Sequence, residues 1–148
     1  MPNGSSHAPQ ASDEFVNGRR LARMIDHTNL RPEATRDDIA RLCREAREFG
    51  FAAVVVNPAY VELASSELAV SEVKLATVVG FPLGATLSSV KRFEASEALK
   101  LGASEIDMVL NVGALKSGQQ ELVRCMGKQV KPPVIKHPQI VCRGISRL

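Results

Sequence analysis

The chain has 148 residues, enough for one domain with a real core, and its 45% hydrophobic and 24% charged residues are those of a soluble globular protein. Its net charge of +3 does not by itself suggest nucleic acid, but the charge is uneven: positions 117–148 carry six Lys or Arg against one Glu, or +5, while positions 1–116 come to −2. No apolar signal segment opens the chain, no stretch nears the roughly 18 apolar residues of a membrane span, and Cys43, Cys125 and Cys142 form no CxxC pair; secreted disulfide framework, zinc site and membrane protein give way to a cytoplasmic protein with reduced thiols.

In chain order, residues 1–18 are rich in Ser, Pro, Asn and Ala and predict a disordered leader, with a short helical stretch at about 19–23. Residues 24–28 are extended in character. Thr35 followed by Asp38 has the pattern of a capping box, and Ile39, Leu42, Cys43, Ala46 and Phe49 then share one helical face up to Gly50, where a helix stops. The apolar run 51–56 reads as a strand buried on both faces, as in a parallel sheet. A helix over 59–68 and a strand over 73–79 follow, the latter ended by Gly80-Phe81-Pro82-Leu83-Gly84. Residues 88–101 have high helix propensity but poor amphipathicity, since Glu94 and Glu97 fall on the side of Val90 and Leu101. Residues 105–112 predict the fourth strand.

Four βα repeats force parallel strands and leave a (β/α) barrel or an open doubly wound sheet. No GxGxxG follows the first strand, so nothing favours a dinucleotide fold. The alternation on the fourth strand favours the barrel, with Ile106, Met108 and Leu110 on one side and Asp107, Val109 and Asn111 on the other. An acid on the inward face near a strand's end is what a barrel active site uses. After Lys116 the rhythm stops. A helix could begin in 119–126, three prolines fall within Lys131–Pro138, and the apolar run Ile140-Val141-Cys142 is too short to build on. The expected division is a leader over 1–18, the first half of a (β/α) barrel over 19–118, and a divergent basic tail over 119–148.

Five ordered blocks carry a resemblance: Ile25-Asp26-His27-Thr28, the segment from Phe51 to Asn57-Pro58, Val79-Gly80-Phe81-Pro82-Leu83-Gly84, Glu105-Ile106-Asp107-Met108-Val109, and Gly113-Ala114-Leu115-Lys116-Ser117-Gly118. Together the blocks, spread over residues 20–118, resemble the deoxyribose-phosphate aldolase family. The resemblance implies a class I aldolase of deoxyribonucleotide catabolism that needs no metal or other cofactor. Such an enzyme cleaves 2-deoxy-D-ribose 5-phosphate reversibly to acetaldehyde and D-glyceraldehyde 3-phosphate through a lysine Schiff base. It implies that Asp107 is the proton donor and acceptor, and that Asp26, Thr28 and Asn57 line the substrate pocket. The family's Schiff-base lysine, in a Lys-Thr-Ser-Thr-Gly type motif on the sixth strand, has no counterpart here, nor do its seventh-strand lysine and its phosphate-binding loops.

The sequence therefore predicts a truncated aldolase chain that is inactive alone; the alternative is a non-catalytic half-barrel fragment or assembly module. The expected partners are a small phosphosugar and a second copy bound through open sheet edges, with no nucleic acid and no membrane. His27 is expected to be an outward, hydrogen-bonded structural residue, Gly80 and Gly84 turn glycines, and Lys74, Lys91, Lys100 and Lys116 solvent-facing or in loops. Val55 and Val109 are expected to lose the apolar layer that would face them in a closed barrel.

Overall fold

Alternation of β-branched runs with helix-forming segments becomes, in a computed structural model, a single parallel sheet with helices on its outer side. The structure describes residues 18–121, 123–124 and, as backbone, 139–143. Helix α1 spans residues 18–22. After it come β1 (Asp26–Asn29), α2 (Arg36–Phe49), β2 (Ala53–Val56), a 3-10 turn (Pro58–Tyr60), α3 (Val61–Leu68), β3 (Lys74–Val79), α4 (Ser88–Lys100), β4 (Glu105–Val109), α5 (Val112–Lys116) and β5 (Gln139–Arg143). Every strand is parallel to its neighbour, in the order β1-β2-β3-β4-β5.

Helix α2 starts where its cap residues dictate. The Thr35 hydroxyl accepts from the Asp38 N–H at 3.2 Å and the Asp38 carboxylate accepts from the Thr35 N–H at 2.9 Å. Two N–H groups that the first helical turn leaves unpaired are thereby satisfied. Gly50 ends the helix at φ 69°, a left-handed conformation that glycine adopts without steric cost. The helix buries Ile39, Leu42, Cys43 and Ala46. Phe49, expected on that face, is instead exposed and lies against the Phe51 ring at 5.8 Å, because the chain turns away at the next residue.

The main core lies between sheet and helices, where Val54, Val56, Val79, Ile106 and Met108 meet Ile39, Cys43, Val61 and Ala95. Thr77 is buried on this side without an unpaired hydroxyl, since it donates to the Val56 carbonyl at 2.7 Å. The opposite, inner face is smaller, and Val55, Ala76 and Val78 pack there with Leu30. Val55 and Val109 are only 3% and 5% exposed, so the expected open apolar layer on this face is not what the structure shows.

Four further expectations are revised. The fourth strand ends at Val109, and residues 112–116 form α5, because the Asn111 side chain accepts from the Ala114 N–H at 3.0 Å and caps a helix. Residues 139–143, dismissed as too short to build on, form β5 against β4, with Asp107 opposite Val141 in register. A strand too short to stand alone is completed by its neighbour's ladder. Helix α4 faces the sheet with Lys91, Ala95, Ala98 and Leu99, and turns the Val90, Glu94, Glu97 and Leu101 stripe outward. Gly18 already belongs to α1, and the rest of the expected leader lies outside the described residues.

Candidate active site

Asp107 owes its position to strand alternation: on β4, Ile106 and Met108 enter the helix-side core, so Asp107 must face inward. It is 8% exposed and reaches a cavity of about 810 Å³ that Asp26, Lys74 and Glu105 also line. Asp26 and Asp107 share the cavity at different depths. Asp26 is level with Ala53 and Lys74, whereas Asp107 is level with Val78, four residues further along β3. At about 3.3 Å per residue, that is roughly 13 Å along the strands.

The shallow end of the cavity is an ionic cluster that the sequence did not announce. Lys74 donates to the Glu105 carboxylate at 2.7 Å. That hydrogen bond and the charge of Glu105 raise the Lys74 ammonium above the usual lysine range, with Asp26 adding to the effect. The remaining walls, among them Arg23, Gly50, Phe51 and Val73, come from segments that precede β1, β2 and β3. The cavity therefore opens toward the N-terminal ends of the strands, opposite to the end where barrel enzymes bind substrate.

Thr28 and Asn57 do not join it. Thr28 is exposed, donates to the Asp26 carbonyl at 2.9 Å and lines a separate cleft with Asp38 and Arg41. Asn57 stands at the start of the 3-10 turn without a capping hydrogen bond from its side chain. His27 faces the helices, where its Nε2 lies 2.7 Å from the Glu45 carboxylate and its ring packs on Phe51 with centroids 4.9 Å apart. Among the described residues, no group of three His, Cys, Asp or Glu side chains is placed to hold a metal ion, and no helix is long and apolar enough to cross a membrane.

At the C-terminal ends of β3 and β4 the chain is tightly fastened. Gly80 and Gly84 have φ of 67° and 66°, and a Cβ at Gly84 would lie 2.0 Å from the Leu110 carbonyl oxygen. The Gly80 N–H donates to the Glu94 carboxylate at 2.8 Å. Lys91, expected at the surface, is fully buried, and its Nζ donates at 2.7 Å to the Gly84 carbonyl and at 2.7 Å to the Val109 carbonyl. It thus ties the loop after β3 to the end of the strand that carries Asp107. Those carbonyls lie where the loop after β3 meets the end of β4, and the lysine stem reaches them past Gly80.

Parallel strands in sequential order, with helices on one side and an acid turned to the other, define half of a (β/α) barrel. The chain belongs to the DeoC/LacD family of aldolases, whose pattern it matches over residues 20–131. It is 50% identical over 125 residues to the deoxyribose-phosphate aldolase of Thermoanaerobacter sp. (strain X514), covering 84% of this chain and 56% of that relative. The deoxyribose-phosphate aldolase of Clostridium kluyveri (strain ATCC 8527) is 58% identical over 105 residues, covering 71% of this chain and 48% of the relative. The solved deoxyribose phosphate aldolase of Aeropyrum pernix, described as a unique tetrameric structure, superposes with a TM-score of 0.62 at 34% identity, covering 82% of this chain and 57% of that one. The chain spans about half the length of the curated relatives it matches.

Proposed function

We propose that this chain supplies the Asp107-bearing half of a cytoplasmic deoxyribose-phosphate aldolase, and that the reaction needs the strands beyond it. The observation that carries this reading is Asp107 on the inner face of β4, 8% exposed and level with Val78 toward the C-terminal end of β3. In the proposed reaction, a lysine amine of the other half condenses with the substrate aldehyde and releases water. The C2–C3 bond then breaks, its electron pair passes into the imine to give an enamine, and the C3 hydroxyl proton leaves to a base. D-Glyceraldehyde 3-phosphate departs; protonation of the enamine and hydrolysis release acetaldehyde and regenerate the amine. Asp107 relays these protons, Asp26 lines the same interior, and Thr28 and Asn57 stand on the elements that border it. The reaction requires no cofactor.

The lysines among the described residues support the division of labour. Lys74 is held protonated by Glu105, Lys91 is enclosed by backbone carbonyls, Lys100 is ion-paired with Glu97, and Lys116 lies on α5 at the surface. The test is borohydride trapping with 2-deoxy-D-ribose 5-phosphate, read by intact mass. The full chain alone is expected to give no adduct. Mixed with a polypeptide bearing the remaining strands of the Clostridium kluyveri relative, it is expected to release acetaldehyde and trap substrate on the added polypeptide. A defined, stoichiometric adduct on this chain, or an assembled mixture without turnover, would overturn the proposal; the latter result would leave the half-barrel as an assembly module.

A further inference from the structure

Among the described residues, the charged side chains buried from solvent are Lys91 and Asp107, and both meet the last three residues of β4. An ammonium loses its hydration when buried, and a fold keeps one only where its N–H groups are paired. Here the pairing falls where the β3–β4 ladder ends. The two strands are in register as far as Val79 opposite Met108, and the chain leaves β3 at Gly80 with φ 67°. One position further along β4, the Val109 carbonyl accepts from Lys91 Nζ at 2.7 Å. The ammonium thus continues the fastening past the last pair of the ladder.

The lysine reaches this point from α4. Its stem passes Gly80 so closely that a Cβ there would lie 2.7 Å from Lys91 Cε. The same helix holds the Gly80 N–H through Glu94 at 2.8 Å, and the Gly84 N–H closes the turn onto the Gly80 carbonyl at 2.8 Å. Gly84 also presses on the backbone at Leu110, a contact that sets a distance but gives the Val109 carbonyl no donor. Helix α4, the loop after β3 and the end of β4 form one braced unit, joined through an ammonium that holds carbonyls of two different segments. A side chain that merely filled volume would need neither carbonyl.

We propose that Lys91 is a positioning residue for Asp107: its ammonium fixes the end of β4 so that the Asp107 carboxyl, two residues back, is held where it meets the substrate. The inference rests on the reading of Asp107 as the proton relay. Proton transfer needs its partners within hydrogen-bond reach, and a displacement of about 1 Å costs about 100-fold in rate. A thioether of similar length offers no donor, so bracing and filling are separable by substitution.

The test compares the full chain with Lys91→Met, which keeps the stem and removes the donors, and with Gly80→Ala, which keeps the lysine and displaces its stem. Carbon-13 spectra of the full chain follow the Asp107 carboxyl directly. Both variants are expected to shift or split that resonance. Lys100→Met at a surface lysine, and Val61→Ala in the buried face of α3, are expected to leave it in place. In the assembly with the remaining strands of the Clostridium kluyveri relative, Lys91→Met should lower kcat by about 10- to 100-fold with KM within about 3-fold, the pattern of a misplaced group rather than of lost binding. Should Lys91→Met fail to fold, Gly80→Ala carries both readouts. An Asp107 resonance unmoved in the folded variants, or a kcat loss that Val61→Ala reproduces, would overturn the proposal. A shifted resonance beside an assembly that is inactive even as wild type would instead overturn the aldolase reading, with Lys91 still shown to hold Asp107 in place.

Discussion

On β4, Ile106 and Met108 face the helices and are almost sealed from solvent, while Asp107 and Val109, one residue away, face the interior of the curve. The same contrast runs across the sheet. On the helix side, side chains from three helices and three strands interlock into one continuous core. On the inner side, three small apolar residues and Leu30 adjoin a charged cavity containing Asp26, Lys74, Glu105 and Asp107. Over β1, β2 and β3 the outer layer is supplied from within this chain, since α2, α3 and α4 follow those strands in turn. The inner layer depends on what stands across the barrel. A sealed core and a charged interior are thus divided between alternate residues of the same strands.

The largest expected effect tests the inner side. In the reconstituted assembly, Asp107→Asn should lower kcat by about 10²–10⁴, the usual size of a general acid–base contribution. Turnover at the wild-type rate would move the proton relay elsewhere. On the outer side, Ile106→Ala should destabilise the full chain by about 2–5 kcal/mol in urea unfolding, through lost burial and the cavity left behind. A cost below about 1 kcal/mol would show that this core is loosely packed and break the comparison. Lys91→Met keeps most of the buried volume but leaves the Gly84 and Val109 carbonyls without that donor. Its expected cost is about 2–3 kcal/mol, with faster amide exchange at Gly84 and Leu110 than at Val54.

A fourth measurement uses pH. Burial pushes the Cys43 thiol from 9.0 up to about 11, the charge of Glu67 adding to the rise and Arg47 opposing it. A raised folded-state value means that the neutral thiol is favoured by folding, so its contribution is whole below pH 9.0 and is lost as pH climbs toward about 11. Between those limits the wild type should lose roughly 2 kcal/mol relative to Cys43→Ala. Parallel stability curves for the two proteins would show that Cys43 ionises as freely in the fold as outside it. The smallest effect belongs to the α2 cap, where Thr35→Ala should cost about 1 kcal/mol by thermal unfolding, independent of any change on the inner face.

What a single sequence could reveal follows the same division. Helix α2 was legible because its cap, its stop and its apolar face are all local signals: Thr35 with Asp38, Gly50, and Ile39 through Ala46. Asp107 was legible because alternation on β4 and a matching block pointed to the same side. Helix α4 was legible from propensity alone, but its buried face was not, because the sheet selects Lys91, Ala95, Ala98 and Leu99 rather than the larger apolar Val90 and Leu101. Lys91 carries no local mark of burial, since its partners are main-chain carbonyls seven residues upstream and eighteen residues downstream. No composition rule separates such a lysine from an exposed one. The cluster of Lys74 with Glu105 also joins residues 31 apart, and only the register of β3 against β4 brings them together. β5 went unseen for a related reason, because five residues with no strong alternation become a strand only where β4 offers a ladder.

The strictly sequential strand order also bears on how the sheet can be assembled in time. Register partners lie 27 residues apart from Asp26 to Ala53, 21 from Ala53 to Lys74, 29 from Ala76 to Glu105 and 34 from Glu105 to Gln139. No pairing among these strands waits for a distant segment, so each closes a loop of similar and modest entropic cost, which grows only as the logarithm of loop length. A chain emerging from its N-terminus can add one strand at a time to an edge that already exists. The step unlike the others is the joining of β1 to the last strand of a complete barrel, which spans the whole domain. Folding kinetics should therefore separate into a fast phase that builds the strands seen here and a slow one, present only when the remaining strands are supplied, that brings β1 to its final neighbour.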